Sequence, residues 1–157
     1  MKTKTTGLTL ALCFFGTALC FADDPQMGTW KLNEAKSNLA PELPKSHTVV
    51  YETVGNKVKI TVDGTDKDGK PTHNEWTGKF DGKDYAVTGD PTSDMRSYKK
   101  ISDRVLRFTF KKDGKATIIG WVTVSDDGKS RIVTTSDART KDLKNRSAFE
   151  KELFDKQ

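Results

Sequence analysis

Cysteine and histidine are both scarce in this chain of 157 residues, which holds two of each. Both cysteines, Cys13 and Cys20, sit close to the N-terminus. The rest of the chain can form no disulfide and no thiolate metal site, so its fold must rest on packing. His47 and His73 stand far apart, and no clustered carboxylates accompany them to complete a metal-ligand set. No metal and no other cofactor is expected. A Gly-x-Ser-x-Gly elbow, a Walker loop and a dinucleotide fingerprint are all missing. Asp66-Lys67-Asp68-Gly69 has the start of a calcium loop, yet Thr77 stands where the twelfth-position Glu belongs. With few general bases beyond Asp and Glu, the sequence points away from an enzyme. The net charge of +5 is likewise not concentrated, because Lys alternates with Asp instead of forming the continuous stripe that nucleic acid needs. No nucleic-acid partner is expected.

Long apolar runs are confined to one place. Leu8 to Phe21 is too short to span a bilayer comfortably, follows Lys2 and Lys4, and ends in the small-x-small sequence Cys20-Phe21-Ala22. Residues 1–22 therefore read as a signal peptide and 23–157 as a single mature domain. The expected location is periplasmic or extracellular, without stable membrane insertion after cleavage.

What is present is a rhythm of turns. Asp-Gly-Lys occurs at 68–70, 81–83, 113–115 and 127–129, and Asp-Gly between extended runs is a strong hairpin signal because both residues tolerate positive φ. Gly55-Asn56, Ser102-Asp103 and Gly89-Asp90-Pro91 add further breaks. Between breaks the chain alternates: Val58, Ile60 and Val62 share one face, as do Leu106, Phe108 and Phe110. This predicts strands near 28–33, 46–54, 57–65, 72–80, 83–88, 94–101, 104–112, 115–125, 129–137 and 147–155. Asn33 to Leu39 and Asp142 to Phe149 are the only helical candidates. Tight joints favour a consecutive meander, and a long meander avoids bare edges by closing. The expected fold is an all-β, antiparallel, up-and-down β-barrel of about 8–10 strands.

Gly28-Thr29-Trp30-Lys31-Leu32 resembles the Gly-x-Trp opening of the calycin superfamily, which includes the lipocalins and the fatty-acid-binding proteins. Gly28 to Ser37 is similar to the start of exported bacterial lipocalin-like proteins. The resemblance implies a structural Trp30 at the closed end of a barrel. The fatty-acid-binding pattern is not continued: Glu34 to Ser46 is too short for a helical lid and holds Pro41 and Pro44, and Arg146 is followed by Ser147, Ala148 and Phe149 where that family carries Arg-x-Tyr.

A small barrel either fills its interior or holds one small ligand. Trp76 and Phe80 share one face and Phe108 lies on another apolar stripe, so these rings suit either a pocket wall or a plain core. Arg96 shares a face with Tyr98, and Arg131 with Val133 and Thr135. Pointing inward, either guanidinium could clamp an acidic head group, but Ile132 opposite Arg131 leaves that register open. The expected function is non-catalytic binding of a small hydrophobic or amphipathic molecule by Trp76, Phe80, Arg96, Tyr98, Phe108 and Arg131. The alternative is a filled barrel acting as a protein-interaction or inhibitor module. Trp121, on the face opposite Ile118 and Val122, would then offer a partner or dimer surface with Ile119.

Overall fold

A computed structural model describes residues 24–39, 43–138 and 150–157 of the chain. Residues 1–22, read from the sequence as a signal peptide, the helical candidate Asp142 to Phe149 and Arg146 lie outside the described residues. Ten strands occur among those described: β1 (Gly28–Leu32), β2 (Lys45–Val54), β3 (Lys57–Thr65), β4 (Pro71–Gly78), β5 (Tyr85–Thr88), β6 (Met95–Ser102), β7 (Val105–Lys112), β8 (Lys115–Val124), β9 (Ser130–Asp137) and β10 (Glu150–Lys156). Each pairs antiparallel with its neighbour in sequence, and β1 pairs with β10, so the sheet closes into an up-and-down barrel. Closure leaves no unpaired edge.

The turns do what their residues dictate. Asp113 and Gly114 both take positive φ, 50° and 74°, and join β7 to β8 in a two-residue hairpin. In the longer connection from β3 to β4, Asp66 Oδ1 accepts from the backbone N–H groups of Asp68 and Lys70, both at 2.9 Å. This Asp-rich loop is thus a capped turn. Two expectations are revised. The segment Asn33 to Leu39 forms only a short 3-10 turn, Glu34–Lys36, because the Asn33 side chain is drawn away to Asp155 (2.7 Å) instead of capping. The segment 79–84, split in the sequence reading between two strands, is a connection that folds back along β6 through an Asp81–Lys99 bridge.

Alternation sorts the side chains. Trp30, Val49, Tyr51, Ile60, Trp76, Val87, Tyr98, Leu106, Phe108, Val122, Val124 and Phe154 form one buried core inside the ring. Gly120 faces Phe108 across β7–β8, and a Cβ there would lie 2.2 Å from Phe108 Cζ and 2.5 Å from the Thr134 carbonyl oxygen. The ring of Phe108 occupies the space that Gly120 leaves. The face opposite Gly120 points outward, as expected: Trp121 is 40% exposed.

Candidate functional site

The barrel has two unlike ends, set by which connections meet there. At the floor, the segment before β1 crosses the opening: Asp24 pairs with Lys100 at 3.0 Å, joining a residue beside β1 to one on β6 at the far side of the ring. Gln26 is fully buried beneath this strap, and its carbonyl accepts a hydrogen bond from Trp30 Nε1 at 3.1 Å. Trp30 therefore seals the floor.

Above the floor lies a continuous aromatic cluster. Trp76 stacks on Phe80 (6.3 Å between centroids, 9° between planes) and meets Tyr98 at 4.7 Å. Tyr98 meets Phe108 at 5.8 Å, and Phe108 meets Phe110 at 5.0 Å. The sequence-predicted residues Trp76, Phe80, Tyr98 and Phe108 are thus brought together. Nearer the mouth the wall changes: Val62, Phe110, Ile118 and Val133 pack on the core but are only partly buried. Burial pushes the Tyr98 hydroxyl above its ordinary range, keeping it a neutral hydrogen-bonding group.

Both candidate arginines point inward, but to different ends and different fates. Arg96, at the mouth end of β6, is held by Asp90 (2.6 Å), Asn74 Oδ1 (2.9 Å) and Ser93 Oγ (3.2 Å), and lies 4.2 Å from the Phe110 centroid. Ser93 and Thr92 also donate to Asp90. Burial raises the Asp90 carboxyl, yet the hydrogen bonds from Ser93, Thr92 and Arg96 outweigh it and bring the pKa to about 2. Arg96 is a satisfied structural cation that fastens the 89–94 connection to the barrel mouth.

Arg131 is the contrary case. It is 1% exposed, and its guanidinium carbon lies 4.8 Å from the Trp30 ring, 4.7 Å from Tyr51 and 5.0 Å from Phe154. Its Nε and Nη1 have no hydrogen-bond partner. Burial lowers its pKa, while the nearby Tyr51 and Tyr98 hydroxyls and Glu152 act the other way. Buried polar groups are ordinarily satisfied, so two open guanidinium nitrogens in an aromatic box call for a physical reason. Glu152 projects from β10 on the same face as Phe154, opposite Val133. Burial, with Glu150 beside it, raises its pKa to about 7, against a backbone hydrogen bond from Ser46 and the charge of Arg131. Among the described residues the interior therefore holds the Arg96 and Arg131 guanidinium groups, the ionised Asp90 carboxylate paired with Arg96, and the Glu152 carboxyl, raised to about 7.

Sequence reasoning missed Tyr51, Asn74, Asp90, Ser93 and Glu152. For Glu152 a signal existed, since alternation with Phe154 in the last strand places both on one face. The network of Asp90, Ser93 and Asn74 depends on how a loop folds and left no local pattern. The histidines stay apart: His47 meets Thr65 at 3.0 Å, and the exposed His73 meets Asp63 at 2.6 Å, which raises its pKa. Among the described residues no three His, Cys, Asp or Glu side chains converge as metal ligands.

No family model matches the chain, and no curated protein does. Among solved structures it is similar to a redesigned β-barrel, mFAP1, bound to DFHBI, with 14% identity, a TM-score of 0.42, and coverage of 85% of this chain and 95% of that one. A second, EF1p2_mFAP2b bound to DFHBI, gives 14% identity, a TM-score of 0.39, and coverage of 85% and 94%.

Proposed function

We propose that the chain is an exported, non-catalytic, lipocalin-like binding protein that holds a small amphipathic acid inside its barrel. The observation that carries this reading is Arg131, a buried cation with two unpartnered nitrogens at the base of an apolar interior. A carboxylate, phosphate or sulfonate placed there would complete its hydrogen bonds and neutralise the interior's unpaired positive charge. From Thr135 to Arg131 the wall of β9 runs four residues, about 13 Å, which matches a short acyl chain or a fused aryl group. The apolar part would lie on Val133, Ile118 and Phe110, with the Tyr98 and Phe108 rings beside it. Its burial is worth about 25 cal/mol per Å² before the cost of ordering. Arg96, already paired with Asp90, shapes the mouth. Export rests on Lys2, Lys4, the Leu8–Phe21 run and the site at Ala22.

The test is a fluorescence titration with two probes, 1-anilinonaphthalene-8-sulfonate and the uncharged N-phenyl-1-naphthylamine. Arg131→Met should weaken the sulfonate about tenfold or more, the scale of one charge-assisted contact, and leave the neutral probe nearly unchanged. Equal loss of both, or of neither, would sink the assignment. A second reading, an interaction module, is favoured by one observation: Trp121 stands 40% exposed on the outer wall. If neither probe binds and Trp121→Ser abolishes self-association or partner capture, that reading replaces the first.

A further inference from the structure

We infer that the outer wall of the barrel carries a separate binding site for a small tetrahedral oxyanion, the head of a phosphate or sulfate monoester, on β6 and β7 beneath the 79–84 connection. A recess of about 170 Å³ lies there, lined by Gly82, Ser97, Lys99, Arg107 and Thr109. It is a construction of register. Ser97 stands directly across from Thr109, and Lys99 directly across from Arg107, on adjacent outward rungs of one strand pair. Two hydroxyls and two cations thus converge on one spot. The wall is fixed, because Gly82 (φ +81°) donates its backbone N–H to the Tyr98 carbonyl at 2.8 Å and Phe80 accepts from Lys100 N at 3.0 Å. A Cβ on Gly82 would meet the Lys99 stem at 3.5–3.6 Å, so the turn backbone packs close against that side chain.

The charge arrangement identifies the ligand. Like charges placed directly across a strand pair are destabilising, and three other cations of the wall and its turns are each neutralised by an acid: Lys59 with Glu75 (2.5 Å), Lys111 with Asp84 (2.6 Å), Arg104 with Asp126. Among the described residues no carboxylate lies within ion-pair distance of Lys99 or Arg107. The Arg107 guanidinium lies instead over the Trp121 ring, 5.9 Å away on the same rung. An anion seated between Lys99 and Arg107 relieves their repulsion. A guanidinium fork takes two oxygens, the ammonium a third, and the Ser97 and Thr109 hydroxyls donate to lone pairs that those three oxygens still offer. That donor count suits a tetrahedral oxyanion better than a two-oxygen carboxylate. The recess is smaller than a pocket for a whole drug-sized molecule, so it takes the head group, and exposed Trp121 offers a platform for a planar body attached to it.

The experiment is a heteronuclear NMR titration of the protein at low salt with phenyl phosphate, inorganic phosphate and benzoate. Trp121 supplies a direct reporter, since Trp30 and Trp76 are fully buried. Phenyl phosphate should give saturable shifts at the Gly82 and Arg107 amides and the Trp121 indole. Inorganic phosphate should move the amides with lower affinity, and benzoate should bind about tenfold more weakly. Lys99→Gln and Arg107→Gln, both at exposed positions, should each weaken phenyl phosphate about tenfold, and Lys57→Gln should not. Co-sedimentation with phosphatidic acid vesicles that depends on Lys99 and Arg107 would name a lipid head group as the source; soluble binding alone would name a free monoester. Shifts spread over every lysine-bearing strand, no saturation, or indifference to both substitutions would overturn the site.

Discussion

Replacing Asp90 by asparagine removes the one carboxylate that neutralises Arg96. In the native barrel the Asp90 carboxyl is brought from its usual 3.8 to about 2, and at 1.36 kcal/mol per unit that difference is worth about 2 kcal/mol of stability. Because the folded pKa lies below the unfolded one, the contribution is complete above pH 4 and disappears as pH falls through 2. Near neutrality Asp90→Asn should cost about 3 kcal/mol, since Arg96 is left 4% exposed with Asn74 and Ser93 as neutral partners. The assay is urea unfolding of both proteins from pH 6 to pH 2, with the difference in stability plotted against pH. Subtraction removes the other depressed carboxyls, Asp66, Glu75, Asp81 and Asp127, which titrate in both. The gap should narrow by about 2 kcal/mol between pH 4 and 2. A gap that stays constant over that window would refute the role given to Asp90.

Glu152→Gln should act in the opposite sense: its folded pKa of about 7 lies above the usual 4.5, so the native protein loses stability as pH rises from 4.5 through 7, by about 3 kcal/mol. The variant should be flatter over that range and more stable than the native chain at pH 8, by chemical denaturation. Gly120→Ala should cost about 1–3 kcal/mol, because the added methyl overlaps Phe108 Cζ and the Thr134 carbonyl oxygen. A thermal midpoint within one degree of the native value would contradict that packing.

Much of the architecture was legible because local and global signals agree. The four Asp-Gly pairs fall in connections between antiparallel neighbours, with glycines at positive φ, and alternation placed Ile60, Leu106, Phe108 and Val122 inside. The helical pattern at Asn33 failed because a tertiary partner, Asp155, claimed the capping side chain. Arg131 was undecidable from alternation, since Ile132 made both faces of β9 acceptable. Register settled it: Arg131 sits opposite Phe154 on one side and Val124 on the other, both core residues. The distinction between Arg96, saturated by a loop carboxylate, and Arg131, left open among rings, belongs to contacts between distant segments, which periodicity does not encode.

The seam that closes the barrel joins the first strand to the tenth through three cross-strand pairs, Trp30 with Lys156, Lys31 with Asp155 and Leu32 with Phe154. During synthesis the nine earlier strands can pair in order as they emerge, but they remain an open sheet whose first and ninth strands are bare templates for another molecule. Only the final seven-residue strand covers both templates at once. A chain lacking β10 would lose only Phe154 from the buried core and keep every pairing from β1 to β9, yet would present both templates to another molecule. β10 therefore decides whether the ring shuts or stays an open sheet with two bare edges.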